Sequence, residues 1–260
     1  MKYDPIKNIF AKMIDRSKIV RSCFYCLLDI LILRQWYIKD HIKVLFNKND
    51  SFVFYDAGAG FCQYTDFILK HYKQSRIVAM DLKSDYLYSY ERSLNTEQLS
   101  RIDIFEGDLQ TFVSPVEADL VIAIDILEHI ENDRAVLANF YRSMKSEGIL
   151  IISTPSDLDE AAAFTAEHVR PGYSKEDLED KVSRAGFKIL TLYYSYGKYG
   201  KAYWLLGMKI PLKMISLSKI FLLLLPIYFL LIIPLNIVLM TLDTVNYNKR
   251  GNGIICIAQK

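Results

Sequence analysis

Net charge is nearly absent from this sequence. Its 32 lysines and arginines almost balance 30 aspartates and glutamates, leaving a formal +2 over 260 residues. So small an excess gives no argument for a nucleic-acid partner, since such binding draws on a dense positive field. Cysteine is scarce as well, and four in a chain this long make no disulfide framework. Cys23 and Cys26 have the C-x-x-C spacing of a redox pair or half a zinc site, but no second pair follows. Their neighbours Phe24, Tyr25, Leu27 and Leu28 predict buried free thiols on a helix instead. No secretory signal is visible: the first apolar stretch begins near residue 22 and carries Asp29 inside it. The expectation is a protein that stays where it is made, in a reducing compartment. Internal repeats and low-complexity tracts are absent too.

Against this background one apolar run stands out. Ile220–Leu242 passes without a charge, and as a straight helix it would reach about 35 Å, enough to span a bilayer. A strand-like segment, Gly253–Gln259, follows it, so a single crossing would leave that strand on the wrong side. Lys198, Lys201, Lys209, Lys213 and Lys219 precede the run and Lys249 and Arg250 follow it. Positive charge on both flanks puts both ends on the cytoplasmic face and suits anionic headgroups. Tyr203 and Trp204 are typical of the headgroup region. Pro226 and Pro234 each interrupt an internal hydrogen bond, and Asn236 faces lipid poorly. The pattern predicts two broken helices in a shallow re-entrant hairpin from about Tyr203 to Val245. The alternative is a hydrophobic interface between two copies of the chain.

Residues 5–46 read as helices, with Ile19, Val20, Cys23, Phe24, Leu27, Leu28, Leu31 and Ile32 at helical spacing. Arg21, Asp29 and Arg34 make this stretch too charged to span. It packs over the main domain or lies on a membrane surface. From residue 52 the pattern changes to strands alternating with helices: Phe52–Asp56, Arg76–Asp81, Ile102–Phe105, Ala118–Ile124, Gly148–Ser153, Phe187–Tyr196 and Gly253–Gln259. Helices are expected at about Cys62–Tyr72, before Met144, and at Lys175–Ala185. Continuously apolar strands of this kind make a mostly parallel sheet covered on both faces.

The chemistry-bearing residues gather at strand ends. Strand one delivers Asp56-Ala57-Gly58-Ala-Gly60-Phe-Cys62, a turn that lets backbone approach a ligand closely. It is no dinucleotide fingerprint, since the third glycine would fall at Gln63, and no P-loop, since no Gly-Lys-Ser/Thr follows. Asp81 ends strand two, where a carboxylate can accept both hydroxyls of a ribose. Asp108 follows strand three and Asp125-Ile-Leu-Glu128-His129 follows strand four. Ligands of such sheets bind beyond these strand ends.

Taken together, Asp56-x-Gly58-x-Gly60, Asp81, Gly107-Asp108 and Asp125-Ile-Leu-Glu128-His129-Ile130 resemble the class I S-adenosylmethionine-dependent methyltransferases, over roughly residues 50–195 and 251–260. The resemblance implies an α/β, Rossmann-like sheet of seven strands, with strand seven antiparallel between strands five and six. It implies this organisation: an N-terminal helical cap (1–48), a methyltransferase core (49–197), a hydrophobic helical insertion between strands six and seven (198–250), and the last strand (251–260). It also implies the cofactor S-adenosyl-L-methionine, held by Asp56, Ala57, Gly58, Gly60, Asp81, Leu82, Asp108, Leu109 and Asp125. Gly58 and Gly60 would pass the methionine moiety, Asp81 the ribose, Asp108 and Leu109 the adenine, and Asp125 the methyl-bearing end. Cys62 departs from the glycine that many members carry.

The sulfonium is an activated donor, so the remaining chemistry is positioning and removal of the acceptor's proton. Of four histidines, His129 after strand four and His168 after strand five are the candidate bases, with Asp125 beside them. His71 is expected to face solvent, and His41 has no evident partner. Asp125, Glu128, His129 and His168 also resemble the cluster of quinone O-methyltransferases, some of which use a divalent metal. No metal site is assigned on this ground. The expected acceptor is a lipophilic small molecule at the membrane, O- or C-methylated, with the enzyme on the cytoplasmic side and no nucleic acid involved. A protein or soluble acceptor, or a membrane-associated cofactor-binding protein without turnover, are the alternatives. A dehydrogenase is disfavoured: Tyr194 and Lys198 have Y-x-x-x-K spacing, but they fall at a strand end.

Overall fold

The computed structural model describes residues 14–15, 17–158 and 168–260. The helical expectation for residues 5–13 and the loop segment ending at Glu167 lie outside them. Seven strands form one sheet: β1 (Val53–Ala57), β2 (Arg76–Asp81), β3 (Ile102–Glu106), β4 (Ala118–Ile124), β5 (Met144–Pro155), β6 (Lys188–Ser195) and β7 (Gly253–Gln259). Their order is β3-β2-β1-β4-β5-β7-β6, with β7 antiparallel to both β5 and β6. The order reverses beside β1, so the C-terminal ends of β1 and β4 open a crevice.

Alternation along the strands feeds two cores. Phe54, Ile77, Leu120, Ile151 and Ile255 point to one face, and Tyr55, Val78, Val121, Ile152 and Ile254 to the other. The first core continues into the helix Gln63–His71 and the N-terminal helices; the second takes in Asp133–Arg142 and Lys175–Arg184.

The N-terminal helices are Lys18–Leu31 and Leu33–Leu45. Arg21 donates to Ser89 Oγ (2.7 Å) and Tyr25 to the Phe61 carbonyl (2.6 Å), so the first helix does pack on the domain. Those two residues take its inner face. Cys23 and Cys26 consequently lie on the opposite face and are exposed, not buried as their apolar neighbours predicted. Ile19 and Leu27 are exposed beside them.

Between β6 and β7 stands a helical hairpin. One arm runs through Lys198–Trp204, a π-helical turn at Leu205–Lys209, and Ile210–Leu217. The return arm is Leu225–Val245, 21 residues or about 31 Å at 1.5 Å per residue. The expected breaks at proline do not occur. Pro226 falls in the first helical turn, where a missing N–H costs nothing, and the helix continues through Pro234. The chain reverses at Ser218, whose backbone is extended and whose hydroxyl caps the next turn, Lys219–Leu223. The base of the hairpin is locked into the domain: Asp243 is fully buried and accepts from Tyr37 Oη (2.8 Å) and from the Gly200 N–H (2.8 Å). A Cβ on Gly200 would sit 2.8 Å from that carboxylate, so only glycine permits the approach. Beyond the base, the return arm is 11% buried and is, among the described residues, the one helix long and apolar enough to cross a membrane.

Candidate active site

The turn after β1 is built around backbone contacts. The N–H groups of Gly58 and Ala59 both donate to the Met80 carbonyl (2.8 and 3.0 Å), tying the turn to the end of β2. Gly58 has φ +79° and a Cβ there would meet Ile126 at 2.8 Å. Any side chain would therefore be strained and would push on the wall after β4. Gly60 N–H then donates to Asp81 Oδ2 (2.8 Å), and Lys83 N–H to Oδ1 (2.8 Å). Two backbone N–H groups thus fix the carboxylate where a diol could be bound.

Asp56 and Ala57 lie beneath this turn and do not line the cleft. Asp56 is buried and accepts from Thr65 through both its N–H (3.2 Å) and its hydroxyl (2.7 Å), anchoring the helix that follows. Burial pushes its carboxyl up to about 7, against the pull of these bonds. Asp108 is fixed by the N–H (2.9 Å) and side-chain amide (3.0 Å to Oδ2) of Gln110. Gly58, Asp81, Leu82, Asp108, Leu109, Ile126, His129 and His168 enclose a cleft of about 420 Å³. An oriented carboxylate, a close backbone and apolar walls at Leu82, Leu109 and Ile126 fit a nucleoside.

Past β4, Asp125 turns into left-handed conformation (φ +49°) while its N–H bonds the Ser153 carbonyl (2.8 Å). Its Oδ2 forms an ion pair with Arg34. Its Oδ1 is buried and, among the described residues, accepts no hydrogen bond, an acceptor suited to the cationic end of a ligand. Glu128 is buried against Thr154, whose hydroxyl donates to Oε2 (3.2 Å). Burial pushes its carboxyl upward, while His129 and Arg34 pull it back. The Glu128 carbonyl accepts from the N–H groups of Val169 (3.0 Å) and Arg170 (3.3 Å), which brings the β5 loop across. His168 thereby meets His129 edge to face, ring centroids 4.6 Å apart. One donor atom each from Glu128, His129 and His168 lies within 4.8 Å of the others, a spacing at which one cation could be held between them.

A second cavity, about 430 Å³, is lined by Arg34, the ion-pair partner of Asp125. Its floor is Ser153, Thr154 and Pro155 at the end of β5, its sides are Ile32, Arg34 and Tyr196, and its roof comes from the hairpin through Tyr203, Trp204, Leu205 and Met208. Arg34 and Tyr196 were not among the expected site residues. Tyr196 has φ +55°, and its hydroxyl accepts from the Arg34 N–H (3.1 Å). The signal for Arg34 was its place in the first turn of a helix, where a cation opposes the helix dipole and needs a local partner. His71 is exposed as expected, and His41 pairs with Tyr193 Oη at 2.6 Å, away from both cavities.

Comparison with known proteins supports the geometry. Residues 55–150 match a family model described as a methyltransferase domain. The chain is 23% identical over 151 residues to (S)-coclaurine N-methyltransferase of Thalictrum flavum subsp. glaucum, covering 55% of this chain and 40% of that protein. It is 25% identical over 123 residues to ubiquinone biosynthesis O-methyltransferase of Rickettsia bellii, covering 47% of this chain and 50% of that one. The chain thus spans about half the length or less of these curated relatives. A crystal structure of coclaurine N-methyltransferase bound to N-methylheliamine and SAH superimposes with a TM-score of 0.56 at 16% identity, covering 89% of this chain and 70% of that one.

Proposed function

We propose, from the premise that this chain belongs to the class I S-adenosylmethionine-dependent methyltransferases, that it methylates a lipophilic small molecule at a membrane surface. The observation that carries this reading is the pair of cavities, one fit for a nucleoside and the other lined by Arg34 and roofed by the apolar hairpin.

Bound S-adenosylmethionine supplies a methyl group already activated on a sulfonium. Asp81 accepts the ribose hydroxyls, Leu82 and Leu109 hold the adenine, and Asp108 takes its amino hydrogens. Asp125 sets a negative charge beside the cationic end, and its ion pair with Arg34 fixes the wall between donor and acceptor. Positioning of this kind supplies most of the acceleration in transfers from an activated donor. His129 and His168 are the imidazoles at hand to take the acceptor's proton. The hairpin tip, with Leu223, Ile227, Leu230 and Leu231 exposed, dips into the bilayer from the cytoplasmic side, and flanking lysines meet anionic headgroups.

The test is to incubate purified protein with methyl-labelled S-adenosylmethionine and membrane extract, and to count label in the organic phase. Label that is present with wild type and absent with Asp81→Ala is the expected result. Label confined to protein or to the aqueous phase would replace the lipophilic acceptor with a soluble one.

A further inference from the structure

The second cavity is cationic as well as apolar. Arg34, Lys201 and Lys209 line it, and among the described residues no aspartate or glutamate does. Arg34 is already engaged by Asp125. Lys201 and Lys209 are different: among the described residues neither forms an ion pair, and both are exposed at the rim. The Lys209 ammonium lies 5.8 Å from the centroid of the Trp204 ring, which holds the charge over the cavity wall. The helix carries its π-turn, Leu205–Lys209, at this very stretch. Such irregular turns give up regular helix hydrogen bonding and concentrate at functional sites.

We propose that the acceptor is an anionic amphiphile: a lipophilic chain that ends in a phosphate or carboxylate. Lys201 and Lys209 bind the anionic group at the rim, and Trp204, Leu205 and Met208 take the adjoining chain. This rests on the methyltransferase reading of the site and narrows it. Two ammonium groups that line one concave, partly apolar cavity attract an anion more strongly than scattered surface lysines do.

The same phosphate chemistry could come from bilayer headgroups, so the experiment separates the two sources. Farnesyl phosphate, farnesol and inorganic phosphate are each titrated into the full chain in vesicle-free buffer below micelle formation. Fluorescence of its two tryptophans, Trp36 and Trp204, is the signal. Farnesyl phosphate should bind at least about tenfold more tightly than farnesol, and inorganic phosphate should bind weakly. The Lys201→Ala/Lys209→Ala double variant should bind both farnesyl compounds alike. Equal affinities in wild type, or an unchanged preference in the double variant, would overturn the proposal. So would binding of phosphatidylglycerol vesicles that depends on the two lysines without any preference for farnesyl phosphate in solution, because the lysines would then serve the bilayer. Titration of S-adenosylhomocysteine into the same samples keeps the two ideas apart. Retained binding with no acceptor preference sinks only the anionic acceptor, whereas no binding at all sinks the methyltransferase reading beneath it.

Discussion

Arg34, in the first turn of the helix Leu33–Leu45, forms an ion pair with Asp125 at the end of β4. The N-terminal helices therefore contribute a side chain to the second cavity and hold the carboxylate that follows β4. The pair is part-exposed on both sides, 32% and 24%, which limits its value to stability to about 1 kcal/mol or less.

The first prediction follows from that imbalance. Arg34→Ala should lower the melting temperature by only a few degrees but cut methyl transfer about tenfold or more, because Asp125 loses the group that orients it. Arg34→Lys should restore part of the charge and little of the geometry, since a guanidinium fork is not matched by an ammonium. Melting curves and initial rates of label transfer check this together. Equal losses of stability and rate would assign Arg34 to folding alone.

Asp81 carries the second. Asp81→Asn keeps the shape but removes the charge that accepts the Gly60 N–H and the ribose hydroxyls. Charge-assisted bonds of this type are worth about 1.5–3 kcal/mol, so S-adenosylhomocysteine should bind on the order of 10- to 100-fold more weakly by calorimetric titration. An unchanged affinity would remove Asp81 from the site.

Much of this was legible in the chain itself. β2, β4 and β7 appear in the sequence with the bounds they have in the structure, because strands buried on both faces, parallel β2 and β4 and antiparallel β7 alike, are nearly unbroken apolar runs. Gly58, Asp81 and Asp108 announce themselves by position at strand ends. The role of Asp56 did not: whether a carboxylate faces a ligand or a helix start depends on Thr65, a contact set by the turn between them. Arg34 and the cavity roof were hidden for a different reason. They come from segments distant in sequence, and nothing local says that Tyr203 and Arg34 share a cavity. The proline reading failed because it counted lost hydrogen bonds and ignored position, and Pro226 falls where none is lost.

Buried Asp56 makes the third prediction, a pH dependence. Its carboxyl titrates at about 7 in the folded protein and near 3.9 when unfolded. Between those values the folded state holds a proton that the unfolded state has released. Stability from this group is therefore fully present below about pH 4 and is lost as pH rises through 7. Asp56→Asn should flatten that slope in urea melts taken from pH 4 to 8. A wild-type slope of the opposite sign in this window, unchanged in the variant, would assign the dependence to other groups.

The hairpin carries the last prediction. Leu230 and Leu231 are 75% and 70% exposed on the return arm, so replacing both with aspartate removes no packing within the chain and should change unfolding stability by about 0.5 kcal/mol or less. The same change places two charges where the bilayer interior would be, which costs several kcal/mol of binding. Wild type should float with phosphatidylcholine–phosphatidylglycerol vesicles in a sucrose gradient, and the Leu230→Asp/Leu231→Asp variant should stay at the bottom. Flotation should survive 1 M salt, where screening reduces the Debye length to about 3 Å and leaves apolar contact as the force that holds. Release of wild type by salt would make the attachment electrostatic and exclude an inserted tip. If neither protein floats, sedimentation of wild type as a dimer and of the variant as a monomer would show that a second copy, rather than lipid, covers these leucines.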